Sequence, residues 1–218
     1  MSVICDRFDT LGRDNPDRAY RLGIFGGTFD PVHMGHLACA EDVRDSFLLD
    51  AVIFIPTAHP VFKRDRQIAS ANDRYTMVKE AIADNPFFDV SPIEIERGGD
   101  TYTVDTLRQL RDFYPSNVEL FFIAGADAVS TLAKWRDKET LGKLARFIGV
   151  TRPGFPLPES SDEEQDHQID TIHVSYLEVT ALAISSSGIR ERIHVGRSVR
   201  YLVPDSVNVY IQEYGLYR

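Results

Sequence analysis

Leu22-Gly23-Ile24-Phe25-Gly26-Gly27-Thr28-Phe29-Asp30-Pro31-Val32-His33-Met34-Gly35-His36 carries most of the information in this chain. Leu22, Ile24 and Phe25 form a short apolar run stopped by Gly26-Gly27, which predicts a buried strand entering a tight turn. From His33 the period becomes helical, with Leu37, Ala40, Val43 or Arg44, and Phe47 on one face. Two glycines after a buried strand let the backbone approach a ligand closely and present its N–H groups. The helix that follows offers a positive N-terminus to an anion. His33 and His36 are three apart and are expected to share a face at that end. Gly35 costs ~1 kcal/mol relative to alanine inside a helix, and it leaves that face open for a flat ligand. The string is neither a Walker A loop nor Gly-x-Gly-x-x-Gly. Two histidines three apart with no cysteine nearby are a poor zinc site, and no metal ligand is assigned.

Outward from this stretch, strand and helix patterns alternate. Ala51-Val52-Ile53-Phe54-Ile55 predicts a second buried strand ended by Pro56. Pro56 to Ser70 is a basic loop without period. Asn72 is expected to cap a helix with Tyr75, Val78 and Ile82 inward. Val90 to Ile95 predicts a strand, placed at an edge by Pro92. Thr103 is expected to cap a helix with Val104, Leu107, Leu110 and Tyr114 inward. Val118 to Ala124 is the clearest central strand. A helical region over Asp127–Leu144 follows, then strands at Arg146–Val150 and near Ile169–Val174. Pro153 to Gln168 is a solvated loop. Ser186–Val195 and Pro204–Tyr214 predict the last helices, the second ending at Gly215. Buried strands alternating with amphipathic helices imply an α/β fold: a Rossmann-like, doubly wound, mainly parallel sheet with helices on both faces. Residues 1–20 show no period and are expected to form a mobile leader before a single domain over 21–218.

Composition narrows the function. Of 218 residues, 43% are hydrophobic and 26% charged, the balance of a soluble folded protein. No apolar run approaches the ~20 residues needed to cross a bilayer, and the acidic N-terminus lacks a secretory h-region. The formal net charge of −9 speaks against duplex nucleic acid as a partner. The 2 cysteines, Cys5 and Cys39, are too few for a disulfide framework and suit a reducing, cytoplasmic compartment.

Ligands of such sheets sit beyond the C-terminal ends of strands, so acids and hydroxyls that follow strands draw attention. Ser185, Ser186 and Ser187 precede Arg190 at a predicted helix start, where hydroxyls, N–H groups and a planar cation can bind phosphate; a plain N-cap is the alternative. Asp127 follows the central strand through Gly125-Ala126 and can accept from ribose hydroxyls or cap the next helix. Trp135 is the lone tryptophan, a ring for stacking or for the core. His59, His167, His173 and His194 have no evident partners and are read as ordinary histidines.

Gly26 to His36 resembles the signature of the nucleotidyltransferases that carry His-x-Gly-His. Within that superfamily the string is similar to the bacterial nicotinate mononucleotide adenylyltransferases. Arg97-Gly-Gly-Asp-Thr-Tyr-Thr-Val-Asp-Thr-Leu107, Gly125-Ala-Asp-Ala128 with Trp135, Ile184-Ser-Ser-Ser-Gly-Ile-Arg190, and Tyr201-Leu-Val-Pro204 through Tyr217 extend the resemblance over roughly 22–218. It implies adenylyl transfer from ATP to nicotinate mononucleotide, giving nicotinate adenine dinucleotide and pyrophosphate, in NAD biosynthesis. His33, His36 and Arg190 would be catalytic. ATP would lie against Gly26, Gly27, Thr28, Phe29 and Gly35 with the two histidines. Gly125 and Asp127 would serve its adenosine side, and Ser185, Ser186, Ser187 and Arg190 its phosphates. The mononucleotide would meet Thr28, Lys63, Tyr102, Thr103 and Trp135. Mg²⁺ would ride on the ATP phosphates. Val61 and Phe62 depart from the family's Pro-His before Lys63. A homo-oligomer is compatible with the sequence, which does not fix the state. Alternatives are another adenylyl- or cytidylyltransferase, acting on phosphopantetheine or an alcohol phosphate, and a nucleotide-binding sensor without catalysis.

Overall fold

The computed structural model describes residues 4–59, 68–151, 166–169, 171–180 and 182–218. The chain runs β1 (Tyr20–Gly27), α1 (Met34–Ser46), β2 (Ala51–Pro56), α2 (Ala71–Ala81), β3 (Phe88–Val90), α3 (Ile93–Arg97), α4 (Thr103–Phe113) and β4 (Val118–Gly125). It continues with α5 (Ala126–Val129), a 3-10 turn (Leu132–Lys134), α6 (Lys138–Leu144), β5 (Arg146–Thr151), β6 (Asp166–Ile169), β7 (Ile172–Glu178), α7 (Ser186–His194) and α8 (Asp205–Glu213). The strands form one sheet in the order β3-β2-β1-β4-β5-β7-β6. All neighbours are parallel except β6 and β7. From β1 the chain builds outward through β2 to β3, then returns to β4 on the other side of β1. The reversal opens a crevice at the C-terminal ends of β1 and β4, where such sheets bind ligands.

Alternate strand residues feed two cores, one on each face. Phe25, Val52, Phe54, Ile123 and Ile148 pack with residues of α1, α2, α7 and α8. Leu22, Ile24, Ile53, Leu120 and Phe147 pack with residues of α4, Val129 and Leu141. Phe54, Phe147, Leu22, Ile24 and Ile53 are fully buried, each contributing about 1.5–3 kcal/mol of burial. The doubly wound α/β architecture is therefore the one expected from the alternation of patterns.

Several local expectations are corrected. Ser70, not Asn72, caps α2: its side chain accepts from the Asp73 N–H. The strand expected over Val90–Ile95 lies earlier, at Phe88–Val90 on the sheet edge, and Ile93–Ile95 are helical because Pro92 turns the chain into α3. The helical region expected over Asp127–Leu144 is broken twice, once at Ser130-Thr131 and once over Trp135 to Asp137, where the Asp137 φ of 52° is one no helix accepts. The strand expected near Ile169–Val174 is a hairpin of β6 and β7.

The leader expected over 1–20 is packed in its described part. Ile4 and Cys5 are buried against the α4 face. Arg7 donates its backbone N–H to Asp89 and its guanidinium to the carbonyls of Ala83, Asn85 and Phe88. Burial pushes the Cys5 thiol up to about 12.

Gly142 shows how tightly α6 lies on the hairpin, since a Cβ there would stand 2.3 Å from the Thr171 carbonyl oxygen. Alanine gains ~1 kcal/mol of helix propensity over glycine, but a clash with backbone oxygen costs about 1–3 kcal/mol. Gly142→Ala is therefore expected to lower stability in urea unfolding, and a stabilised variant would show that α6 does not sit this close.

Candidate active site

β1 ends in Gly26-Gly27 because side chains already fill the space. A Cβ on Gly26 would lie 3.1 Å from the Phe122 ring, and one on Gly27 would lie 2.7 Å from the Phe29 ring. Phe29 folds back beneath the turn with φ of 50° and is buried. Its ring meets Phe25 at 5.6 Å and the His36 ring at 5.1 Å, both edge-on. Phe29 is thus the floor of the loop.

His33 is not on the helix face. It is the N-cap of α1, extended in backbone and buried, while His36 is the third helical residue. The rings stack at 3.7 Å. His36 Nδ1 accepts the His33 backbone N–H at 3.3 Å. This is the N3-to-N-cap contact of a capping box, with imidazole where Glu or Gln usually stands. A ring nitrogen that accepts an N–H carries no proton, so neutral His36 bears its proton on Nε2. The room beside Gly35 is taken by His33, whose Nδ1 lies 3.1 Å from where a Cβ would be. Gly35 serves the stacking of the histidine pair, not an open face for a flat ligand.

α7 is tied to the same loop. Ser186 Oγ donates to the Pro31 carbonyl at 2.9 Å, and Arg190 donates to the Asp30 carbonyl at 2.6 Å. Arg190 also lies 3.4 Å from the Asp30 carboxylate. Ser185 caps α7 by accepting the Gly188 N–H at 3.1 Å, and the Ser187 hydroxyl lies 3.4 Å from it. Asp30 itself is buried and accepts from the Tyr217 hydroxyl at 2.7 Å and the Ala69 N–H at 3.1 Å. Burial and this aspartate push the Tyr217 phenol up, so it stays a donor.

On the neighbouring strand Phe25 pairs with Ile123, so the register carried two residues on sets Gly125 beside Gly27. The exposed Asp127 carboxylate folds over Gly125, 2.5 Å from where a Cβ would stand. Gly125, not Asp127, holds the N-cap position of α5. Trp135 is half-buried, edge-on to Phe122 at 6.1 Å and Phe147 at 6.4 Å, and its indole N–H donates to Thr131 Oγ1 at 3.1 Å. Tyr102, not Thr103, is the N-cap residue of α4, and the Arg136 guanidinium lies 4.6 Å over its ring. Lys63, with Val61 and Phe62, lies outside the described residues.

Arg74 went unnoticed in the sequence. It is the largest fully buried side chain among the described residues. It donates to the carbonyls of Ala69 (3.1 Å), Thr28 (2.7 Å), Thr57 (2.7 Å) and Ala58 (3.2 Å). Burial pulls its guanidinium below the usual value, and Asp30 opposes this. The signal was present: Arg74, Met77, Val78 and Ala81 are the buried residues of α2, at helical spacing, with an arginine among them.

Residues 24–192 match the cytidylyltransferase-like family. The chain belongs to that family. It is 50% identical over 199 residues to a Desulfitobacterium hafniense protein named "Probable nicotinate-nucleotide adenylyltransferase", covering 91% of this chain and 96% of the relative. A Corynebacterium jeikeium protein of the same name is 50% identical over 195 residues, covering 88% and 98%. The solved structure of Plasmodium falciparum nicotinic acid mononucleotide adenylyltransferase complexed with NaAD superposes with a TM-score of 0.66 at 18% identity, covering 91% of this chain and 97% of that one. At that identity the likeness speaks for the fold alone. In this cytidylyltransferase-like chain the His-x-Gly-His stretch begins α1, at the switch between β1 and β4.

Replacing Arg74 by Met strands up to four carbonyls. Stability is expected to fall by roughly 3–5 kcal/mol in urea unfolding, the cost of breaking a buried charged network. Arg74→Lys should recover little, because a point charge cannot reach three segments at once. A wild-type midpoint for either variant contradicts this.

Proposed function

We propose that this chain transfers the adenylyl group of ATP to nicotinate mononucleotide. What carries the reading is the convergence of two helix N-termini, α1 and α7, with His33, His36 and Arg190 on one glycine turn. Helix N-termini and fixed cations favour a polyphosphate at that spot. The names borne by relatives 50% identical over most of the chain supply the acceptor.

A phosphate oxygen of the mononucleotide attacks the α-phosphorus of ATP in line. The new P–O bond forms as the bond to the β-phosphate oxygen breaks, and pyrophosphate leaves with the electron pair. The nucleophile is already an anion, so no strong general base is required. The protein's share is positioning and stabilisation of charge. His36 Nε2–H and Arg190 donate to the phosphates, and the Gly26-Gly27 turn lets the backbone come close. Gly125 and Asp127 receive the adenosine ribose. Trp135, Tyr102 and Thr103 hold the pyridine ring, and Lys63 the mononucleotide phosphate. Mg²⁺ enters as part of the ATP substrate. The acid next to the turn, Asp30, is already engaged by Tyr217, Ala69 and Arg190, which suits a metal that arrives with its phosphates. Cys5 and Cys39 are thiols outside any disulfide, as a reducing compartment favours.

Pyrophosphate release on mixing with ATP and each candidate acceptor tests the assignment. Nicotinate mononucleotide is expected to give the highest kcat/KM, above the amide mononucleotide, since N–H donors at the start of α4 favour a carboxylate. Equal rates with the amide, or turnover only with phosphopantetheine, would sink it. His36→Ala should lower kcat by ~10²–10³ and, because His36 also caps α1, cost about 1 kcal/mol of stability. A near-normal single-turnover rate would remove His36 from the chemistry.

A further inference from the structure

Glu94 is a buried carboxylate with no part in adenylyl transfer at the glycine turn. It is 6% exposed and sits in α3, between the sheet and α4. The Thr106 hydroxyl, in the first turns of α4, donates to Glu94 Oε1 at 2.7 Å. Arg97 binds the same hydroxyl at 2.9 Å and reaches Gln109, also on α4. Among the described residues no cation pairs directly with Glu94. Its other oxygen, Oε2, and the Thr101 hydroxyl are buried and face each other without an aligned hydrogen bond. Unsatisfied buried polar atoms are uncommon and costly, and here two occur on one short segment and the helix beside it.

That segment leads to Tyr102 and Thr103. It starts with Gly98 and Gly99, whose φ values are 65° and 72°, and a Cβ at either would touch nothing within 4 Å. Little packing holds it from that side. At Asp100 it pairs with His59, on the loop after β2, and Arg74 grips the carbonyls of Thr57 and Ala58 just before. Glu94 feels Arg74 as well as Arg97. It therefore lies beside residues 100–103, the described segment that would border the mononucleotide.

We propose that Glu94 is a positioning residue for the mononucleotide subsite, its buried carboxylate and the Thr101 hydroxyl setting where residues 100–103 enter α4. This rests on the adenylyl-transfer reading. The charges that face Glu94 are Arg97 from its own helix and Arg74 from α2, with the hydroxyls of Thr106 and Thr101. All four favour the ionised form, yet burial outweighs them and pushes the carboxyl up to about 7. A group raised on folding stabilises the protein while it is protonated, and that stability is lost as pH rises through 7. At higher pH the ionised Glu94 is a burden on the fold.

The test is Glu94→Gln, with Thr101→Val as a second variant that leaves the carboxylate in place. Melting curves and steady-state kinetics, each substrate varied in turn, are taken from about pH 6 to pH 8.5. At the alkaline end E94Q is expected to melt a few degrees higher than wild type, the gap closing toward acid. Its KM for nicotinate mononucleotide should rise about tenfold there, while kcat and the KM for ATP stay within about twofold. Wild type should lose its advantage as pH falls through 7. The substrate phosphate titrates alike in both proteins, so the ratio isolates Glu94. T101V should share the KM effect. A lower melting temperature with kcat and KM damaged together assigns Glu94 to the fold alone and overturns the proposal, as does an unchanged KM in both variants. Wild type that releases no pyrophosphate with nicotinate mononucleotide overturns the adenylyl-transfer reading itself, and this proposal with it.

Discussion

One buried guanidinium holds the catalytic end of the sheet together. The strand ends of a parallel sheet leave carbonyls without ladder partners, and at Thr28, Thr57, Ala58 and Ala69 these point toward one another. A planar fork of five donors can satisfy that cluster, which no apolar residue could. The glycine turn, the loop after β2 and the entry to α2 are thereby placed relative to each other before any ligand arrives. Such preorganisation is what an enzyme relying on positioning requires.

The second constraint is electrostatic. The chain is acidic, with a formal charge of −9, yet around Gly26-Gly27 it assembles donors: the N-terminus of α1, the hydroxyl-rich start of α7, Arg190 and the histidine pair. Asp30 is the acid that makes this assembly coherent. It anchors Arg190 beside the turn and is itself held by Tyr217, close to the C-terminal end of the chain. Residues 160 and 187 positions away meet at one carboxylate-bearing turn, so the turn depends on contacts of very long range.

That range explains what the sequence shows and what it hides. The strands of β1, β2, β4 and β5 and the helices α1, α4, α7 and α8 were legible because burial writes itself into local periodicity. Gly26, Gly27, His33 and His36 were legible as a dense motif. Arg74 was not, since an arginine on a helix is ordinarily solvated, and only the tertiary fold turns it inward. His33 as a cap and not a face residue, and Gly35 as space for His33, are details of packing that spacing alone cannot distinguish. Glu94 escaped for the same reason: its meaning lies in what α4 places above it. The breaks at Ser130-Thr131 and over Trp135 to Asp137 have no glycine or proline, so the helical period ran through them.

The N-terminal strap has a role apart from the chemistry. β3 is three residues long and ends the sheet, and a free strand edge is a template for another chain. Arg7 occupies the Phe88 carbonyl and the Asp89 carboxylate along that strand, and Ile4 and Cys5 are buried nearby. The strap thus covers this edge of the sheet against edge-to-edge association. Proteolytic trimming of these few residues would show itself as aggregation on storage, in molecules whose catalytic crevice is still intact.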